Sequence, residues 1–364
     1  MLKPICLIPE LPPAIELETK PVLKALAKAN RALAELKGRA ATLPNQGILI
    51  DTLALQEAKA SSEIENIVTT QDELFQADLE LDGPNSPAAK EVALYRDALK
   101  LGFDHLRQTD GLITNRILIA MFQLLKGPAG GFRDTPGTAL RSDATGEVVY
   151  VPPQDARDLA AHMASLESFI NLDQDPEIDP LIKMALIHHQ FESIHPFPDG
   201  NGRIGRILNV LYLTRSGLLD IPILYLSRHI TRTKADYYRL LQAVRTNGAW
   251  EDWILYMLDA VAETATTTLE LLEGIRTQMA SVKSRMRTEL PHLYSQDLLN
   301  NLFRHPYTRI EFVINDIKVS RQTAAKYLDQ LAYAGFVNKH RAGRSNYYVN
   351  AELVRLFLEV SGGK

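Results

Sequence analysis

The chain has 364 residues, 46% hydrophobic and 23% charged, with a formal net charge of −4. That length allows two or three domains with at least one large core, and the mild negative charge excludes a molecule built as a whole for nucleic acid or a membrane surface. A single cysteine, Cys6, excludes an internal disulfide framework, and no apolar run approaches the ~20 residues of a membrane span, so a soluble cytoplasmic protein is expected.

The first ten residues, Met1 to Glu10, hold no long apolar core behind basic residues, so they do not read as a signal peptide. Residues 22–36 are Ala-rich and amphipathic, and residues 51–66 continue in helical style to Asn66. Further helices are predicted over 87–103, 113–126, 155–170 and 178–193, separated by Gly, Pro and Asp. Residues 130–153 break the pattern. Thr, Val and Tyr flank a Gly-containing turn at 143–146, which predicts a β-hairpin. A lone hairpin in a helical domain needs something to lie against, and a flap beside a cleft is its expected use. Long helices follow over 233–246 and 249–284.

The tail changes character after about residue 290. Helices are predicted at 295–303 and 309–316, and Ser320 is a suitable N-cap for a third that ends at Gly335. Residues 336–349 then read strand, basic turn, strand. Three helices and a basic hairpin form the pattern of a winged helix-turn-helix. Residues 301–364 carry ten Lys/Arg against five Asp/Glu, a net of +5 that leaves −9 for the rest. The expected architecture is mainly α: an N-terminal helical region (1–105), a helical catalytic domain with a β-hairpin flap (106–285) and a small winged-helix domain (290–364).

The chemistry concentrates in His195-Pro-Phe-Pro-Asp-Gly-Asn-Gly-Arg-Ile-Gly-Arg206. Gly200 and Gly202 around Asn201 let backbone N–H groups turn inward at a helix N-terminus, an anion-binding nest. Two arginines in the opening turns of a helix oppose its dipole unless a polyanion sits there. Arg203 and Arg206, three residues apart, share a face and suit a phosphate chain. Asp199 beside phosphates suits Mg2+. His195 is placed to act as general base on an attacking hydroxyl. Together they read as a phosphoryl or nucleotidyl transfer site. A Gly-Asn-Gly turn alone is often only a turn, and His188 with His189 offers the alternative of a His-metal cluster, although no carboxylate or Cys spacing completes one.

The string resembles the Fic family pattern His-x-Phe-x-Asp/Glu-Gly-Asn-Gly-Arg-x-x-Arg at every fixed position. Residues 186–195, Asp236–Leu240 and the 130–153 hairpin resemble the family's preceding helix, adenine-pocket helix and target-docking flap. Fic proteins are helical, and most transfer AMP from ATP to Ser, Thr or Tyr of a protein. The resemblance implies His195 as base and Asp199 as Mg2+ ligand. It implies that Gly200, Asn201, Gly202, Arg203, Ile204, Gly205 and Arg206 lie along the ATP, with the Asn201 side chain on phosphate. It implies that Tyr238, with Tyr237, contacts adenine, although plain helix packing also explains that pair. In the related Doc branch, a kinase, a Lys replaces the second Gly. Gly202 here favours nucleotidyl transfer.

Ser61-Ser-Glu-Ile-Glu65-Asn66 resembles the family's inhibitory helix signature, Ser/Thr-x-x-x-Glu-Gly/Asn. Ser61 and Glu65 share a helical face. A glutamate aimed at Arg206 would compete with the γ-phosphate, and in some Fic enzymes the equivalent carboxylate positions a water that removes AMP. In the tail, Arg321, Gln322, Lys326 and Tyr327 could face a DNA groove, with Lys339, His340, Arg341 and Arg344 on the wing. The alternative is a dimerisation or target-docking module. The expected partners are ATP, a protein substrate that could be the chain itself, and DNA through the tail, with a homodimer as the default quaternary state. The competing readings are a nucleotide-sensing DNA-binding regulator and a Fic enzyme that uses another donor.

Overall fold

Apolar residues at three- and four-residue spacings make most of the chain helical. The computed structural model describes residues 8–70, 73–74, 79, 86–142, 145–172, 178–342 and 345–362. Helix α1 (Lys20–Ala40) starts at Thr19, whose side chain accepts from Val22 N, and buries Val22, Leu26, Leu33 and Leu36. That stripe lies along α10 (Trp250–Glu289), a helix of 40 residues.

Helix α2 (Gly47–Ile64) has no fully exposed residue and packs on α3 (Pro87–Gln108). It begins earlier than the sequence suggests and stops at Ile64, so Glu65 is its C-cap. Asn66 has φ 62°, a left-handed conformation that Asn and Gly adopt most easily. The Gly/Asn at the end of the inhibitory signature therefore has a backbone reason. Buried Glu57 holds α2 in rotation. It accepts from Tyr95 Oη at 3.0 Å and Ser227 N at 3.3 Å, and also from Ser227 Oγ.

Next come α4 (Asn115–Lys126) and a short antiparallel hairpin, β1 (Leu140–Arg141) and β2 (Val148–Tyr150). Residues 143–144 of the predicted turn lie outside the described residues. Helices α5 (Ala156–Asn171), α6 (Pro180–Ile194) and α7 (Asn201–Arg215) complete the centre. Every residue of α6 from Leu181 to Ile194 is buried, including Lys183, His188, His189, Gln190 and Glu192. So many polar groups in one core helix must be partnered or functional. The short α8 (Ser227–Arg232), unforeseen in the sequence, packs on α2, and α9 (Lys234–Asn247) follows.

The tail contains α11 (Gln296–Arg304), β3 (Tyr307–Thr308), α12 (Ile310–Ile317), α13 (Arg321–Tyr333), β4 (Asn338–Ala342), β5 (Ser345–Val349) and α14 (Ala351–Gly362). The sheet order is β3-β5-β4. Ser320 caps α13 by accepting from Thr323 N at 3.2 Å. Three helices and a hairpin follow in the expected order, with β3 and α14 in addition. The tail rests on the body: Asp51 of α2 takes Arg304 at 2.6 Å and Lys100 at 2.5 Å. Two cations expected to face DNA are neutralised within the tail. Arg321 pairs with Glu311 at 2.5 Å and Lys339 with Asp329 at 2.7 Å. Gln322, Lys326, His340 and Arg341 are exposed, whereas Arg344 lies outside the described residues. Among the described residues no helix is long and apolar enough to cross a membrane.

Candidate nucleotide-binding site

The junction of α6 and α7 is held open by backbone conformations that need support. His195 ends α6 in the left-handed region, φ 52°. Such a conformation is uncommon outside Gly and Asn. Arg133 supports it: its Nε donates to His195 O at 2.8 Å, its backbone N to Pro196 O at 2.8 Å and its Nη2 to Ile194 O at 3.3 Å. Beneath the loop, buried Phe197 stacks on Phe122 with centroids 4.3 Å apart. Gly200, φ 74°, then opens α7. The flap is tied to the same place, because Tyr150 Oη donates to Ser193 O at 2.8 Å. Arg245 lies 4.0 Å over the Tyr150 ring and donates to Ser193 Oγ at 3.0 Å.

Several of the expected site residues have packing partners in this geometry. The Asn201 side chain is buried and already engaged within the loop. It accepts from Phe197 N at 2.8 Å and donates to Phe197 O at 2.7 Å, stapling the loop to the helix start. Ile204 is fully buried. A Cβ on Gly205 would meet Glu192 Oε1 at 2.5 Å, so the packing of α7 on α6 requires a glycine here. Tyr237 is 1% exposed, and its hydroxyl lies 2.8 Å from His188 Nε2. It is a packing residue, while Tyr238 beside it is 46% exposed. The His188–His189 metal alternative also fails. His188 is engaged by Tyr237 and by Gly205 O at 3.3 Å, whereas His189 turns to Leu241 O at 3.3 Å. Burial, followed by Arg206, pulls the His188 pKa down to about 3.

The two arginines are the most buried cations of the site, at 1% and 2% exposure. Arg206 is held through two of its nitrogens. Its Nη2 lies 3.0 Å from Glu65 Oε1 and 2.9 Å from Ser61 O, and its Nε lies 2.8 Å from Ser61 Oγ. Burial works against its charge, but Glu65 and the groups behind it outweigh that and raise its pKa. Gly202 is what lets the carboxylate in, since a Cβ there would stand 2.5 Å from Glu65 Oε1. Arg203 meets a partner the sequence did not indicate. Its Nη1 donates to Glu91, and Glu91 Oε1 also takes Lys126 at 2.8 Å.

Asp199 stands 66% exposed beside the helix start. Burial opposes its charge, yet Lys126 at 2.8 Å holds its carboxyl below the usual range. One exposed carboxylate beside an anion nest fits a magnesium ion that takes its other ligands from phosphate and water. His195 is half-buried, and its Nδ1 has no hydrogen-bond partner. Desolvation, with Arg245 and Arg133 adding to it, lowers its pKa to about 3, so the imidazole is neutral at physiological pH. Glu91, Lys126, Arg133 and Arg245 carried no signal in the sequence. Each is an ordinary charge on its own helix or loop and acquires a role only across long chain separations.

The family comparison decides what this constellation is. Three family models match: Fic/DOC family N-terminal over residues 23–104, Fic/DOC family over 107–213, and the C-terminal domain of SoFic-like protein adenylyltransferase over 278–353. The chain belongs to the Fic family. Among curated relatives of this Fic chain, a probable protein adenylyltransferase of Aquifex aeolicus is 27% identical over 188 residues, covering 50% of this chain and 54% of the relative. The protein adenylyltransferase Fic of Nematostella vectensis is 39% identical over 93 residues, covering 25% and 20%. The chain thus spans about half the length of the first relative and a fifth of the second. A Fic family protein from Desulfovibrio desulfuricans superposes with a TM-score of 0.57 at 19% identity, over 91% of this chain and 96% of the other. Fic-1 of C. elegans gives 0.55 at 20% identity, over 69% and 74%. These superpositions establish the Fic fold.

Proposed function

We propose that this chain is a protein adenylyltransferase, moving AMP from ATP to a Ser, Thr or Tyr hydroxyl of a protein, and that Glu65 holds it off at rest. The observation that carries the reading is Arg206: a buried guanidinium beside an anion nest, occupied by Ser61 and Glu65 of the preceding helix. A triphosphate that reaches for Arg206 must displace that carboxylate.

In the released state, the backbone N–H groups at Gly200–Gly202 and the dipole of α7 meet the phosphates. Arg203 and Arg206 take the β and γ end. Asp199 would hold Mg2+, which when bound would supply positive charge against the phosphates and the leaving group. His195 takes the proton of the target hydroxyl, and Nε2 is the ring atom left for this because Nδ1 is buried. The hydroxyl oxygen attacks the α-phosphorus, the α–β bridging bond breaks and pyrophosphate leaves. Tyr238 offers its exposed ring to adenine. The flap, with Val149 38% exposed, offers a short edge to which an extended target segment can add. A regulator that only senses nucleotide needs neither a base nor a metal carboxylate.

The direct test is incubation of the Glu65→Gly chain with Mg2+ and each labelled nucleoside triphosphate, followed by protein mass measurement. An AMP adduct from ATP alone is expected. A phosphate adduct, or an adduct from another donor, overturns the choice of reaction.

A pH dependence follows from the His195 environment. An ordinary imidazole is half protonated near pH 6.5, whereas this one stays neutral down to about pH 3. Lowering the pKa of a base extends its active form toward acid. At saturating Mg2+ and ATP, kcat of the Glu65→Gly variant should be flat from about pH 5.5 to 7.5, as far as this imidazole sets it. A rate that halves with a midpoint near 6.5 contradicts this placement of His195.

A further inference from the structure

Lys126 has no part in the mechanism above, yet it stands closer to the anion nest than its place in the sequence indicates. It ends α4, and its Nζ lies 2.8 Å from Glu91 Oε1 and 2.8 Å from Asp199 Oδ2. Arg203 completes a ring of charges. Its Nη1 is on Glu91, and its Nη2 is 3.9 Å from Asp199. A Cβ on Gly200 would sit 3.7 Å from Lys126 Cε, so the lysine stem lies against the left-handed glycine that opens the nest.

We infer that Lys126 is a third cationic ligand for the nucleotide's phosphate chain, parked at rest on Glu91 and Asp199. The inference rests on the transferase reading of this site. At rest Arg203, Arg206 and Lys126 face Glu91, Asp199 and Glu65, so the cations and carboxylates balance. Among these six groups a polyanion then finds no excess of positive charge. Withdrawal of Glu65 leaves one cation in excess, as binding of a triphosphate requires.

The three cations differ in freedom. Arg203 and Arg206 are buried and hydrogen-bonded in place, whereas the Lys126 side chain is 27% exposed. Its flexible stem lets Nζ turn without moving the helix. Lys126 Nζ lies on Asp199 Oδ2, so a metal ion on Asp199 would compete with this ammonium for the carboxylate. Glu91 retains the lysine beside Gly200, where the nearest new acceptor is a phosphate oxygen in the nest. A half-buried ammonium left without a second partner is costly, and a charge-assisted bond to phosphate removes that cost.

The test uses the full chain in the Glu65→Gly background, with Lys126→Met compared against Lys126 by calorimetric titration with ATP, with and without Mg2+. The Kd for ATP should rise roughly tenfold or more. KM should rise by the same factor while kcat changes little, the pattern of lost uniform binding. Lys126→Arg should recover most of the affinity. Lys126→Gln repeats the measurement with a polar chain if the Met variant melts early. Unchanged affinity in a folded variant overturns the assignment. So does tighter binding or faster turnover, which would make Lys126 only a plug on Asp199. If the Glu65→Gly chain transfers no AMP yet binds ATP in a Lys126-dependent way, the transferase reading fails and the ligand assignment stands.

Discussion

Replacing Glu65 with glycine is expected to raise AMP incorporation by about 10–100-fold, equivalent to removing about 1.4–2.8 kcal/mol of competition at one guanidinium. The magnitude follows from what Glu65 does in the structure. Its Oε1 is 3.0 Å from Nη2 of an arginine that is 2% exposed, so the pair is little screened by solvent. ATP has to break that pair before its γ-phosphate can replace it. Ser61 does not block in the same way, because its oxygens orient the guanidinium without neutralising it. Glu65 lies at the C-cap, so glycine there removes no helix interior hydrogen bond. The measurement is incorporation of labelled AMP per mole of protein, with a melting curve to confirm the fold. Equal or lower incorporation in a folded variant sinks the brake.

His195→Ala, in the Glu65→Gly background, should cut transfer by roughly 100- to 10,000-fold, the usual range for loss of a positioned general base. ATP affinity should change little, because the nest, Arg203 and Arg206 are built from α7 and not from this imidazole. Arg133 grips the backbone carbonyl of residue 195 rather than its ring, so the loop keeps its support in the variant. Single-turnover transfer and ATP titration on the same preparation separate the two effects. Undiminished transfer removes His195 from the proton-transfer role. Loss of ATP binding would instead make it a binding or folding residue.

The readable parts of this molecule are those written in contiguous sequence. The helices appear because 3.6-residue periodicity is local, and their ends are set by caps such as Thr19, Ser320 and the left-handed Asn66. The His195–Arg206 loop is readable because its glycines, arginines, carboxylate and imidazole fall within one short segment. The short strand at Tyr307–Thr308 was invisible because it exists only through pairing with Tyr348 and Val349. The partner of Asn201 has a similar origin. Only when the chain closes does its amide meet Phe197 N and Phe197 O. Tyr237 and Tyr238 are adjacent and chemically identical, and only the way α9 packs on α10 buries one and exposes the other.

What the sequence determined by itself is the set of groups on offer: the Gly-Asn-Gly turn, Arg203 and Arg206, Asp199, His195 and the Ser61–Glu65 pair on one helical face. What only the tertiary structure decided is which charges meet. Arg206 meets Glu65 across 141 residues, and Arg203 meets Glu91 across 112. Lys126 meets Asp199 only because α4 ends beside the start of α7. Charge pairing depends on distance in space and on burial, and neither is encoded at any one position of the chain. The state of the site at rest, with its carboxylates on its cations, is therefore a property of the fold.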